Sequence, residues 1–401
     1  VFPPLQERQA DSTTQREKQK ETMAALGYIA HWMERTSSRQ ESAMLTMGRE
    51  LTELLQAQRP IASEVDSKLS RLVDEFQVTQ KQLRILQSLR YDSMKLREGE
   101  VASAHEQTFE WMFDGAASTS PHKSRTGFNT WLEAEDGIFW VTGKPGCGKS
   151  TLMKFVSHHD TTTRSLQVWA AGRRLVTACF YFWRGAGENL QTKQDGLFRT
   201  LLSQIMTECP SLMPKLCPER WANVQQQTEP WTRQELLAAF SKLPEEELSL
   251  NSAFAFFIDG LDEYDGSHEE IAQVVSQLAA PANVKVCIAS RDLPTFDHHF
   301  GSSAKHERRR KLILHEHTKA DIKRFVQDKL GRDQRYRDFT CRQQHGLGHD
   351  ALVNEITWRA QGMFIWVRIA CEEVVKGLTH QDTPDILAAR LETVPTDLEI
   401  L

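Results

Sequence analysis

The chain has 401 residues, with 49 Lys and Arg against 54 Asp and Glu and a formal net charge of −5, so electrostatics give no case for nucleic acid or an anionic membrane as main partner. With 40% hydrophobic and 26% charged residues, it has the make-up of an ordinary globular protein of two or three domains. No apolar run approaches the length of a bilayer span and no cleavable leader is evident. A cytoplasmic location is therefore expected, and seven scattered cysteines without a Cys-x-x-Cys pair fit a reduced chain. The sequence opens on Val1, so the natural start is expected upstream of it.

Residues 1–20 are polar, contain Pro3-Pro4, and read as a disordered tail. Residues 21–113 read as a helical N-terminal region, poor in Gly and Pro and broken at Pro60. Beyond that break, Val65, Leu69, Leu72, Phe76, Leu83 and Leu86 recur in alternating steps of four and three, with Thr79 in one slot. That heptad-like stripe predicts an amphipathic helix packed in a bundle, in preference to a free coiled coil. Protein partners are expected to engage through these helices. Residues 114–127 are a linker by composition.

Ile138-Phe139-Trp140-Val141-Thr142 is an apolar, β-branched and aromatic run that predicts a buried strand. It leads into Gly143-Lys144-Pro145-Gly146-Cys147-Gly148-Lys149-Ser150-Thr151, a complete phosphate-binding loop. Glycines let the backbone curl around clustered phosphate oxygens, and the following helix points its positive end at them. Lys149 is placed to reach the β and γ phosphates and Ser150 to ligate Mg²⁺. Leu152, Met153, Phe155 and Val156 carry the apolar spacing of the helix that the motif requires. Cys147 reads as a loop filler, the alternative being a thiol activated by the helix N-terminus.

Further strands are expected at Val176–Trp183, Ala253–Ile258, Val284–Ala289 and Leu312–Leu314, with a helix through Leu197, Leu201, Leu202, Ile205 and Met206. Strands alternating with helices predict an α/β domain with a parallel sheet over residues 128–318. Helices at Asp321–Leu330, Leu352–Arg359, Met363–Lys376 and Asp385–Leu391 predict an appended helical domain, residues 319–401. The third strand delivers Asp259 at its carboxyl end, where open α/β sheets place ligands. There Asp259 would hold Mg²⁺ opposite Ser150, while Asp262 and Glu263 would orient or deprotonate a water. Arg291, after the fourth strand, is placed to sense the γ-phosphate. Thr192-Lys193-Gln194-Asp195 matches a guanine-reading element but precedes the acidic strand, so ATP is favoured over GTP. Lys305–Lys311 reads as a solvated basic loop, and His315 with His317 as one face of a strand, a metal pair lacking a third ligand.

Gly143–Thr151 together with Phe256–Glu263 resembles the NACHT class of signal-transducing P-loop NTPases. The marks are a small residue, Gly260, after the first acid and an acidic pair three and four positions beyond that acid. Phe128–Leu132, Phe180–Gly185, Ile288–Arg291 and Gly362–Arg368 resemble the fungal, nephrocystin-like proteins of the NOD-like-receptor type. The resemblance covers about residues 100–401. It implies a sheet order of 5-1-4-3-2 and an ATP/ADP switch that hydrolyses slowly and forms homo-oligomers when activated. In fungi such switches serve non-self recognition and cell death. It also implies that His105–Trp111 borders the adenine; no winged-helix domain or repeat array of such proteins is recognisable within the 401 residues. The rival readings are an interaction scaffold with structural nucleotide, and a P-loop kinase, for which no acceptor site or lid is apparent.

Overall fold

A computed structural model describes residues 62–113, 127–134, 137–186, 190–224, 229–301, 311–342 and 347–395. The expected tail at 1–20, the rest of the helical stretch before residue 62, the linker apart from Gly127, and basic residues 305–310 lie outside the described residues. The chain divides into two compact units, Val1–Glu100 with Leu202–Ala239 and Val101–Leu201 with Phe240–Leu401.

In the first unit, helix α1 (Ala62–Leu89) realises the heptad stripe as a helix. Burial concentrates at its C-terminal end, where Ile85, Leu86 and Leu89 are enclosed. Leu72, Thr79 and Leu83 are half-buried, whereas Phe76 is exposed, contrary to the stripe's even pattern. The side chains of Val65 and Leu69 lie outside the described ones. Trp231 Nε1 donates to Ser88 Oγ at 2.9 Å. The buried Arg220 forks onto Glu235 at 2.8 and 2.9 Å and lies 4.2 Å over the Trp231 ring. Such a two-pronged pair satisfies a buried guanidinium that would otherwise be costly to desolvate.

The second unit is built on five parallel strands: β1 (Gly137–Thr142), β2 (Arg174–Tyr181), β3 (Ser252–Asp259), β4 (Val284–Ser290) and β5 (Lys311–Ile313). Their order is β2-β3-β4-β1-β5, the 5-1-4-3-2 arrangement of P-loop proteins. Every residue of β3 and β4 is buried, as central parallel strands covered on both faces must be. Helices α2 (Phe128–Glu133), α3 (Lys149–His158) and α4 (Asp160–Ala170) contribute Phe128, Leu132, Leu152, Val156 and Leu166 to a core shared with Phe139, Val141 and Phe257. After β2 comes α5 (Gln194–Glu208), counted in this unit as far as Leu201, and between β3 and β4 runs α6 (His268–Leu278). The β2 strand starts and ends two residues earlier than expected. Its last bond to β3 runs from the Phe182 N–H to Asp259 O at 2.9 Å, where β3 itself ends.

Lys285 on β4 is a polar exception at the centre of the sheet, with no exposed surface. Its ammonium donates to Trp131 O and, at 2.7 Å, to Leu132 O, and lies 4.6 Å from the centre of the Trp169 ring. It thus satisfies carbonyls at the end of α2 while two tryptophans shield it.

Beyond the sheet come α7 (Lys319–Gly331), α8 (Gln334–Arg342), α9 (Leu347–Arg359), α10 (Phe364–Thr379) and α11 (Pro384–Thr393). Ile322, Val326, Val353, Ile356, Trp366, Val367 and Leu387 form their own core. Among the described residues, no helix is long and apolar enough to cross a membrane. Ile258 has no exposed surface on β3. Ile258→Ala is expected to cost about 2–5 kcal/mol of unfolding free energy. Urea denaturation should show a lower midpoint with an unchanged slope, and a cost under about 1 kcal/mol would contradict the strand's enclosure.

Candidate nucleotide-binding site

Parallel pairing brings every strand's carboxyl end to one edge, and the site lies along it. Thr142 pairs level with Ser290 and with Ile313, and Tyr181 with Asp259. The phosphate loop, Arg291, the turn after β5, the loop after β2 and the acids after β3 therefore emerge together. Between β1 and α3 the chain curls as expected: Gly146 and Gly148 take φ of 68° and 95°, values that favour glycine. Helix α3 begins at Lys149 without a side-chain cap, the kind of helix start whose first N–H groups an anion can satisfy. Lys149 Nζ donates to the carbonyls of Gly143 at 2.9 Å and Lys144 at 3.1 Å, which holds the ammonium over the loop.

Cys147 is enclosed beneath that curl. Burial raises its pKa, the Lys149 charge and nearby N–H groups oppose the rise, and the Asp259 charge adds to it. The thiol is a buried filler, and the alternative of an activated thiolate is not borne out. Asp259 itself is 2% exposed at the end of β3, where its carbonyl accepts the Phe182 N–H at 2.9 Å. Gly260 follows at φ 70°, and a β-carbon there would come within 2.9 Å of Phe182 O. The family-like small residue is thus a steric requirement of the turn.

Both remaining acids hold arginines. Asp262, 10% exposed, accepts the Arg291 N–H at 2.9 Å through Oδ1 and faces Arg291 Nε at 3.2 Å through Oδ2. Glu263 Oε2 accepts the Arg184 N–H at 2.9 Å, while the Arg184 side chain donates to Glu263 O and Tyr264 O at 3.2 and 3.0 Å. Arg291 was expected to face a γ-phosphate; its side chain here turns to Asp262. The Thr192–Asp195 stretch braces this same turn, since Thr192 O accepts the Asp265 N–H at 2.8 Å and Gln194 donates to Glu270 at 2.7 Å.

The appended helices reach the loop directly. Ile365 N–H donates to Gly146 O at 3.1 Å, and Lys144 Nζ donates to Gln361 Oε1 at 3.2 Å. A β-carbon on Gly148 would meet Phe364 at 3.3 Å and Phe109 at 3.4 Å. At Gly362, with φ 84°, it would meet His315 O at 2.2 Å. Phe109 has φ 66°, a strained value for a non-glycine residue, and is pinned by Asp321, which accepts its N–H at 3.1 Å and Trp111 Nε1–H at 2.7 Å. Burial raises the Asp321 pKa, against those two hydrogen bonds. The segment expected to border the adenine thus places Phe109 beside Gly148, in the loop itself.

The histidine pair is corrected. His315 lies in the turn Leu314–Glu316 rather than in a strand, and His317, just beyond it, stacks on Trp111 with ring centres 5.3 Å apart. His315 Nδ1 accepts the Lys144 N–H at 3.4 Å, bracing the loop from outside. Burial lowers its pKa, and the Lys144 charge lowers it further. The alternation of His315 with His317 marks this histidine for the wrong reason, and no local pattern marks Asp321, Arg184 or Gln361 as neighbours of the site.

A family model described as Nephrocystin 3, N-terminal, matches residues 121–291. That span holds the whole phosphate loop and the acids, and ends on Arg291. No curated protein matches. Among solved structures, a chain of Drosophila ORC bound to DNA overlaps with a TM-score of 0.32 at 14% identity, over 67% of this chain and 65% of that one. Cdc6p from Pyrobaculum aerophilum overlaps with a TM-score of 0.27 at 13% identity, over 54% and 52%. The chain spans less than two thirds of either relative, and these overlaps do not bear on its activity.

The His315 ring is an acceptor only when neutral. A base whose folded pKa is depressed contributes fully above its unfolded value, here 6.5, and loses that contribution as pH falls below it. Unfolding free energy should therefore drop from pH 7.5 to pH 5.5, about one unit either side of that value. His315→Gln keeps an acceptor that does not titrate, and should flatten this dependence in part, because burial lowers the His317 pKa as well. Identical slopes for the two proteins would refute the assignment.

Proposed function

We propose that the chain is a NACHT-type switch that binds Mg-ATP and ADP, hydrolyses ATP slowly, and thereby controls homo-oligomerisation and signalling of the fungal non-self-recognition or cell-death kind. The observation that carries this reading is the strand register: β1, which runs into the glycine curl and Lys149, and β3, which ends on Asp259, both pair in parallel with β4, so the loop and the acid leave the same edge of the sheet. Those features fit a triphosphate with its metal. Lys149 would exchange two loop carbonyls for β and γ oxygens, and the first N–H groups of α3 would cradle the phosphates. Ser150, opening α3, and Asp259, closing β3, would hold Mg²⁺, which when bound neutralises charge across the β and γ phosphates. Asp262 and Glu263 would orient the attacking water. Phe109 and Phe364, flanking Gly148, support the base lying on the side of the appended helices.

In this reading, protein partners engage through the N-terminal helices and the chain works in the cytoplasm. A second reading, an interaction scaffold with structural nucleotide, is favoured by one observation: Asp262 is already engaged by the Arg291 side chain and Glu263 by the Arg184 backbone N–H. Nucleotide content and turnover of the purified chain separate the two. Lys149→Ala should lose bound nucleotide. Asp259→Ala should keep ADP while Mg²⁺-dependent turnover falls about 10²–10³-fold. Wild-type protein that binds no nucleotide would sink the central reading, and turnover no higher than that of Asp259→Ala would favour the scaffold.

A further inference from the structure

We propose that Asp262, by holding the Arg291 side chain, sets the preference of this site between ATP and ADP; the inference rests on the nucleotide-binding reading above. Two separate contacts join the pair. The backbone N–H of Arg291 donates to Oδ1 at 2.9 Å, and the side-chain Nε faces Oδ2 at 3.2 Å. The first contact is made by the chain itself and survives any movement of the arginine side chain. The second is exchangeable, because the Arg291 side chain is 52% exposed whereas that of Asp262 is only 10% exposed. The carboxylate is therefore fixed in place and the guanidinium is the mobile partner.

Asp262 and a γ-phosphate compete for one cation. ADP offers no γ-phosphate, so the pair stays closed and ADP binds at no cost to it. ATP must draw Arg291 away, and its net affinity is lowered by the strength of the pair. The same exchange leaves Oδ2 of Asp262 open to a water hydrogen, while Oδ1 stays tethered to the backbone. Nucleotide discrimination and readiness of the acid are thus coupled through one side chain. His268 Nε2, 3.3 Å from Asp262 O, helps hold the turn whatever the arginine does.

Asp262→Asn keeps an oxygen for the Arg291 N–H and removes the charge that holds the guanidinium. Calorimetric affinities are measured for Mg²⁺ with the β,γ-imido analogue of ATP, and for ADP. The analogue should bind about two- to fivefold more tightly to Asp262→Asn than to wild type, the range of a half-exposed ion pair. ADP affinity should stay unchanged, which also verifies folding. In an Arg291→Gln background the gain should vanish, because no cation remains to be contested. An equal gain in both backgrounds would mean simple repulsion between carboxylate and phosphate, and would overturn the proposal, as would no gain in either. An independent readout on the unsubstituted protein is the Arg291 Nε–H resonance, assigned by its loss in Arg291→Lys. It should be the same in the empty and ADP-bound protein and shift with the analogue; no shift would also overturn the proposal. Wild-type protein that binds neither nucleotide would instead count against the nucleotide-binding reading itself.

Discussion

Parallel strand pairing is the constraint from which the rest of this structure follows. Because β1 to β5 all run the same way, five segments far apart in sequence leave the sheet at one edge. Parallel strands need crossovers and are covered on both faces, which is why β3 and β4 are wholly enclosed. With the sheet's body sealed, polar chemistry is confined to that edge. The phosphate loop, three acids, two arginines and His315 meet there as a consequence of topology.

The same edge is electrostatically self-satisfied. Lys149 sits on carbonyls of its own loop, the Asp262 carboxylate on Arg291, and the Glu263 carboxylate on the Arg184 backbone N–H. A half-buried charge without a partner is expensive, so a site without ligand settles into internal pairings. Any polyanion that enters must trade against them. The affinity of such a site reflects the difference between ligand and internal partners, where a water-exposed charge trades ligand against solvent.

The signals read from sequence were local, and they held where the physics is local. The glycine curl, the strand periodicities and the acid at the end of β3 each depend on neighbours within a few residues. Helix α4 was not anticipated, because Thr161-Thr162-Thr163 is a β-branched run of poor helix propensity; the His159 side chain caps it by accepting the Thr161 N–H at 3.1 Å. Helix α8 was missed because Arg335, Arg337, Asp338 and Arg342 dominate its nine residues and only Tyr336 and Phe339 mark the face it buries. Pairings across the fold were invisible for a different reason. Arg291 meets Asp262 across 29 positions, and Lys285 meets Leu132 across 153; no periodicity announces such partners. His315 stood out in sequence only as one of two alternating histidines, and its true neighbour, Lys144, could be seen only after folding.

The seam at Gly362 has a consequence for how this molecule can change over generations. Backbone meets backbone there with no space for even one added carbon, so the turn after β5 and the entry to α10 touch without an intervening side chain. Most contacts between packed elements are made by side chains and can drift by compensating substitutions. A contact of bare main chain offers nothing to compensate with. The two segments must therefore be inherited as a matched pair, and grafting either one from a relative without the other would misalign the loop that each of them braces.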